Sequence, residues 1–428
     1  MAAQFKQLGG TPITPELAVE LRQLVFGTSA IPMRAEWTQT PFTFGSAKEE
    51  FAYGLRSPRN ATRGLLSVVQ GFILKHLLFG RKSSRSAAMA DPLQPSLDMQ
   101  RESLLLALLE ILRSIADKSK VIMVLPSPDD ECFVEHSATY FHDGITEKLY
   151  IFHLNPNEEL EFFVKRYFKI FTEEDAPGTL LFLYSAVLTR TMGKVRSDLD
   201  STKIVPLTMS NNEEGSLMIV TLLLTGRATP YIHNGVINVG DENSYASPQY
   251  GILKRCAIGL LLWENESGQL NTAVARQPGS RLKTPNCPIW ITLCAGHYGV
   301  MFNKNPELLR NYHAESRFDL YYYSCSGREI AMTIDNRVYN EQAAGMLENQ
   351  QSSSENTSIA ARPSKEDNFS KDETSAAKDE PTVNTPLQKL VHTKWEEAQI
   401  KFHVQPSMYS AVRWGCGVEE IVVEFLSA

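Results

Sequence analysis

Few side chains in this sequence stand in a pattern that can do chemistry, and His297 is the first of them. It sits in NCPIWITLCAGHYGVMF, between two apolar runs, with Cys294 three residues before it and Asp319 in the following FDLYYY run. An imidazole beside a thiol is the pairing that makes cysteine a nucleophile, because the thiolate attacks and the thiol does not. In a continuous strand, however, a separation of three puts Cys294 and His297 on opposite faces. Cys294 then reads as a buried core thiol. Asp319 is a candidate to orient the ring. On these residues alone His297 reads as a packed turn residue or as a base, and Tyr321–Tyr323 as packing.

Other chemistries lack their residues. There is no CxxC, no HExxH and no Cys/His pair at finger spacing, and Cys287 and Cys294 are isolated. No GxxxxGK[ST], no GxGxxG after a strand and no GxSxG occurs. Neither a metal nor a cofactor is therefore expected. None of the six cysteines clearly opens a helix, which is one of the devices that activates a thiol.

Composition narrows the class further. The 428 residues carry 42 Lys+Arg against 49 Asp+Glu, a net charge of −7, which argues against the basic stripe of a nucleic-acid binder. Hydrophobic residues at 43% and charged residues at 21% suit a globular chain with a sizeable core, not a fibrous repeat or a coiled coil. Six cysteines in this length make no disulfide framework. The start, MAAQFKQLGGTPITPEL, has no apolar signal core, and no apolar run reaches the ~18 residues of a spanning helix. The expectation is an intracellular protein, cytoplasmic or nuclear, not secreted and without a membrane partner. The sequons at Asn60, Asn265 and Asn356 then carry no information.

The elements that must position His297 follow from periodicity and punctuation. Thr14, Pro15 and Gly27 bound a helix with Leu17, Leu21, Leu24 and Val25 on one face. Trp37–Phe44 reads as loop and short strand. Gly64–Phe79 is apolar all round and predicts a buried helix. Arg81–Gln94 reads as loop, Glu102–Ile115 as helix, and Val121–Leu125 and Lys148–His153 as strands. Glu158–Phe171, Thr179–Thr191 and Glu214–Thr225 read as helices, the last closed by Gly226. Asn234-Gly235 and Gly240 punctuate Tyr231–Val239. Ile289–Leu293, Tyr298–Phe302, Phe318–Tyr323 and Ile330–Ile334 read as successive strands. From Gln351 to Thr385 large apolar residues almost vanish, which predicts a disordered stretch. Structure resumes at Leu387, with Trp395 and the apolar run Ile421–Leu426. The expected organisation is a domain over 1–344, an insertion over 345–385, and a return of the same domain over 386–428, because about 40 residues are too few to fold alone.

Several separated blocks in order carry a resemblance. They are LRQLVFG, EWTQTPFTFG, YGL at 53–55, GLLSVVQGFILKHLLF, LLLTGRA, PIW at 288–290, GHYGVMF, RFDLYYY and TKWEEA. With them the chain resembles the MINDY family of deubiquitinating cysteine proteases, most closely its fourth subfamily. The resemblance implies an α/β (α+β) papain-like cysteine-protease scaffold, no cofactor, and ubiquitin or polyubiquitin of the proteasome-targeting linkage as partner.

In the active family the segment before the long helix reads approximately G-L-x-Q-x-x-G-G-P-C-G. Here Gly54 to Gly64 reads G-L-R-S-P-R-N-A-T-R-G, the same length without a gap. By that resemblance the nucleophile position falls on Arg63, the oxyanion glutamine on Ser57, and the Gly-Gly-Pro on Asn60, Ala61 and Thr62. His297 retains the family base. A guanidinium has no acceptor and stays charged, so it cannot attack a carbonyl. The positive end of a helix disfavours a cation at position 63 by roughly 0.3–1 kcal/mol if exposed, so the Arg63 side chain is expected to swing toward solvent or a carboxylate. The pattern resembles the B-type branch of the fourth subfamily, described as inactive. The expectation drawn from it is a chain that binds ubiquitin or a partner without being an enzyme. The alternatives are an active isopeptidase using another thiol, such as Cys132, or a scaffold that has left ubiquitin behind.

Overall fold

The computed structural model describes residues 2–46, 50–57, 60–80, 91–199, 205–209, 214–240, 247–264, 277–337 and 385–403. The expected disordered stretch lies outside the described residues except for its last member, Thr385. The run Ile421–Leu426 and the sequons at Asn265 and Asn356 also lie outside them.

Helix α1 spans Pro15–Phe26 and forms as its punctuation dictates. The Thr14 hydroxyl accepts from the Leu17 amide, Pro15 opens the first turn, and Gly27 closes it at φ +81°. Helix α2, Arg63–Phe79, is buried along most of its length. Its Leu65, Leu66, Val68, Val69 and Ile73 side chains are withdrawn from water, each contributing roughly 1.5–3 kcal/mol relative to exposure. Helix α3 spans Leu97–Ala116, more than a turn earlier than the apolar pattern starts, because Ser96 caps it by accepting from the Met99 amide. Strands β1 (Val121–Pro126) and β2 (Leu149–Leu154) pair antiparallel. The helix expected over Glu158–Phe171 is broken at Tyr167 into Leu160–Arg166 and Phe168–Thr172. Helix α4 covers Gly178–Arg190, and α5 covers Leu217–Thr225.

The C-terminal half builds a six-stranded sheet from β3 (Gly259–Trp263), β4 (Ile289–Cys294), β5 (His297–Phe302), β6 (Arg317–Ser324), β7 (Arg328–Asp335) and, after a helix at Pro386–His392, β8 (Gln399–His403). The order is β8-β7-β6-β5-β4-β3, antiparallel throughout except that β3 runs parallel to β4. Strand β3 is the GLLLW run, continuously apolar because it is buried on both faces. One sheet face packs against α2 and the main core. The other carries Trp290, Met301, Met332, Leu390 and Trp395. Thr385 does not belong to the preceding stretch as expected. It caps the Pro386–His392 helix in a capping box with Gln388. The mixed α/β architecture expected from sequence is what forms.

The turn joining β4 to β5 matters most. Ala295 and Gly296 take φ of +49° and +88°, the left-handed pair that lets a two-residue hairpin match the twist of its strands. His297 therefore lies directly opposite Cys294 in register, on the same face of the sheet. The continuous-strand argument that separated the two fails because the chain reverses between them.

Candidate functional site

The site forms where the start of α2 meets the start of β5. Arg63 is the first helical residue, and its amide donates to the Asn60 carbonyl at 2.9 Å. The residue is 6% exposed. Its Nη1 donates to Oε1 of Glu214, and the same oxygen accepts from His297 Nδ1 at 3.1 Å. The other oxygen, Oε2, accepts from the Tyr298 amide at 2.6 Å. The Glu214 carbonyl accepts from the Gly64 amide at 2.9 Å. One residue thus binds helix, strand and imidazole together through both its side chain and its backbone. The Glu214 side chain is 3% exposed and the His297 side chain 31%.

Electrostatics settle the protonation of this carboxylate. Burial pushes the Glu214 carboxyl up, but the His297 hydrogen bond, the Arg63 charge and the Tyr298 amide outweigh burial and hold it below its ordinary value. An ionised carboxylate only accepts, so the proton between them sits on His297 Nδ1. The ring's Nε2 is thereby the nitrogen left for other work. The expectation that Arg63 reaches a carboxylate holds, and the partner is Glu214.

Sequence reading placed Glu214 as the first residue of a helix. The helix begins instead at Leu217, capped by the Ser216 hydroxyl, which accepts from the Met218 amide at 3.1 Å. Glu214 is freed to face Arg63. Gly215 permits the approach: at φ +119° it brings the loop so near that an added Cβ would lie 3.0 Å from the Ala61 carbonyl oxygen. A usable signal was present. A buried arginine at a helix start needs an acid, and an acid stands immediately before a Gly-Ser cap.

Ser57 follows the short strand Leu55–Arg56, and its amide donates to the Cys325 carbonyl at 2.8 Å. Gln70 of α2 clamps this segment, donating to the Tyr53 carbonyl at 3.1 Å and accepting from the Leu55 amide at 2.6 Å. Tyr323 adds a bond from its hydroxyl to the Leu55 carbonyl at 3.0 Å. The structure therefore joins Arg63 to His297 through Glu214, and ties Ser57 to the same helix through Gln70 and the Cys325 segment.

Asp319 does not orient His297. Phe302 at the far end of β5 pairs with Tyr321, so Asp319 lies beyond the end opposite His297. Its carboxylate accepts from Thr333 at 2.6 Å. The thiols near the site are withdrawn. Cys294 faces His297 in register, and burial pushes its thiol up to about 12. Cys325 lies 3.8 Å from the Ser67 hydroxyl, one turn after Arg63. Burial pushes it up to about 12 against the weaker pulls of Ser67 and Arg63. Cys132 is exposed and contacts Val134 and His142, its sulfur 4.0 Å from His142 Nε2.

A cleft of about 460 Å³ is lined in part by Arg34, Trp37, Ala61, Gly215 and Ser216; Ala61 and Gly215 are chain neighbours of Arg63 and Glu214, but none of Arg63, Glu214 and His297 lines it. Among the described residues no three His, Cys, Asp or Glu side chains gather to hold a metal ion, and no helix is long and apolar enough to cross a membrane.

A helix start set against a histidine at the head of an antiparallel sheet is the arrangement of a papain-like cysteine-protease scaffold. The chain matches the family described as "Deubiquitinating enzyme MINDY-3/4, conserved domain" over residues 22–404, and it belongs to that family. It is 32% identical over 341 residues to the probable ubiquitin carboxyl-terminal hydrolase MINDY-4 of Xenopus tropicalis, covering 78% of this chain and 43% of that one. It is 31% identical over 335 residues to the human protein of the same name, covering 77% and 42%. It is 28% identical over 328 residues to the mouse ubiquitin carboxyl-terminal hydrolase MINDY-3, covering 69% and 67%. The matched region spans less than half the length of the MINDY-4 relatives. No solved structure matches. These hydrolase names overturn the expectation that the chain is not an enzyme, since nothing in the described structure positively marks it as inactive.

Proposed function

We propose that this chain acts on ubiquitin, receiving its extended carboxyl-terminal tail in the cleft beside Ala61 and Gly215. The tail's last carbonyl then lies at Arg63, the position that corresponds to the family's nucleophile. His297, with Nδ1 held by Glu214, presents Nε2 as the acid–base group. The supporting observation is the convergence of Arg63, His297 and the Tyr298 amide on the Glu214 carboxylate, with Ala61 and Gly215, close neighbours of Arg63 and Glu214 in the chain, lining the cleft. Calorimetric titration with ubiquitin tests the reading. Saturable heat is expected, with affinity falling tenfold or more in Ala61→Tyr, which fills the cleft. Absence of heat from a folded protein overturns it.

A second reading concerns the thiol that hydrolysis would use, since a guanidinium cannot attack. Cys294 lies opposite His297 across the Ala295–Gly296 turn. Burial holds its thiol near 12, so this route requires the turn to open. A ubiquitin probe with a carboxyl-terminal alkyne decides. An adduct lost in Cys294→Ser supports Cys294, whereas an adduct lost only in Cys132→Ser assigns the exposed thiol instead.

A further inference from the structure

We propose that the open edge of the six-stranded sheet is a strand-docking surface, and that its occupant is this chain's own segment Ile421–Leu426, paired antiparallel with β8. Among the described residues β8 is outermost and pairs with β7 alone. Its outward row of backbone N–H and C=O groups is a template for one more strand. Along β8 the side chains alternate. Ile400 and Phe402 are half-buried, packed on the sheet face that carries Met332, Leu390 and Trp395, while Gln399, Lys401 and His403 are exposed. The apolar row of that face thus stops half-covered at the edge, where a neighbouring strand would complete it. A lysine at the centre of an edge strand guards it against a partner that brings no acid, so Lys401 selects what can dock.

The sequence beyond β8 supplies the matching strand. The run IVVEFL at 421–426 holds β-branched and aromatic residues around the single acid Glu424, without Gly or Pro, which is the composition of a strand. It lies beyond the 22–404 family match. Left unpaired in water, such a run is an aggregation hazard, and so is an open sheet edge. Pairing the two removes both. The 17 residues between His403 and Ile421 include Pro406, Gly415 and Gly417, so the chain has the length and the turn residues to reverse. Closing a loop of that size costs little more than closing a shorter one.

Charge and parity fix the register. With Glu424 opposite Lys401, Val423 falls opposite Phe402 and Phe425 opposite Ile400. The apolar pairs extend the half-covered row, and the opposite charges meet on the exposed face, where such cross-strand pairs stabilise a sheet. A slip of one residue sets Glu424 against Ile400 or Phe402 on the apolar face. The seventh strand makes 386–428 a return of the same domain and closes the edge to strands of other chains.

Hydrogen exchange on the full chain, read by mass spectrometry, tests the docking. The β8 amides that point away from β7 are expected to exchange tenfold or more slowly in the parent than in Phe425→Asp, with exchange in β4 and β5 equal in both as the check on folding. Lys401→Glu is expected to lose the same protection, and Lys401→Glu/Glu424→Lys to regain it. Equal β8 exchange in the parent and Phe425→Asp overturns the inference, as does failure of the exchanged pair to recover. A benzophenone side chain placed at position 425 of the full chain identifies the occupant. Photolysis is expected to join it to the 399–403 strand of the same molecule. Attachment to the cleft around Trp37, or joining of two copies only, overturns the assignment.

Discussion

Replacing Arg63 with Met keeps much of the apolar stem and removes the cation from a buried pair. Glu214 is then left with His297 and the Tyr298 amide. Breaking a buried ion pair by deleting one partner costs about 3–5 kcal/mol, because the other charge stays buried. The two surviving donors put the expected loss near 3 kcal/mol. With an unfolding entropy of roughly 2.1 cal/mol/K per residue, a domain on the scale of the 22–404 match loses about 1 °C of Tm per kcal/mol, so Tm falls by about 3–4 °C. Adding Glu214→Gln removes the stranded charge and returns most of that loss, a coupling well beyond the ~0.5 kcal/mol of independent sites. The pH dependence follows from linkage. With Arg63 present the Glu214 carboxyl is held below its ordinary value. Its contribution to stability is therefore full above the ordinary carboxylate range and is lost as pH falls through the depressed value. In Arg63→Met burial dominates and raises that carboxyl, so the gap between parent and variant is widest at neutrality and narrows toward pH ~4. Urea unfolding followed by tryptophan fluorescence at several pH values reads both effects. An additive double variant, or a gap that widens on acidification, refutes the reasoning.

Ser96→Ala removes the α3 cap and is expected to cost about 1 kcal/mol in urea unfolding. Gln70→Leu strands the Leu55 amide and the Tyr53 carbonyl, both within the protein interior. At about 1–3 kcal/mol per unsatisfied group, its loss should exceed that of Ser96→Ala in the same assay. With Ellman's reagent on the native protein, Cys132 is expected to react at once, and Cys294 and Cys325 only after unfolding, as mapped by mass spectrometry. Arg63→Cys alone sets a thiol against the Glu214 carboxylate, which raises its pKa and slows labelling at position 63 by a ubiquitin alkyne. Adding Glu214→Ala is expected to speed that labelling tenfold or more.

Much of this fold was legible because local chemistry and global packing agree. Thr14, Pro15 and Gly27 bound α1 in the structure as in the sequence, and the all-apolar α2 is the buried helix that its pattern demanded. The misses have physical causes. Strand β3 offers a short apolar run without period, which pattern alone cannot separate from a buried helix segment. The Leu160–Thr172 stretch keeps its helical pattern across Tyr167, where only tertiary context breaks it. The Cys294–His297 separation misled because a two-residue turn inverts the parity that a strand would impose.

The site was half legible for a different reason. Arg63 and His297 could be singled out from sequence because the resemblance fixes their positions, and their side chains say what they can do. Glu214 was missed, since its role arises from position 63 and the acid before the Gly-Ser cap becomes a signal only once Arg63 is known to be buried. A small neutral side chain at the head of α2 would leave no ion to neutralise there. Once a guanidinium stands at that buried end, where the helix field already disfavours a cation, an anion must come within reach or the charge must leave the interior. The Glu214 loop supplies the anion, and its backbone carbonyl accepts from the Gly64 amide on the same turn. Positions 63 and 214 therefore form one electrostatic unit with His297 as its third member. A substitution at any of the three changes the charge state that the other two experience, so single-site effects here do not add.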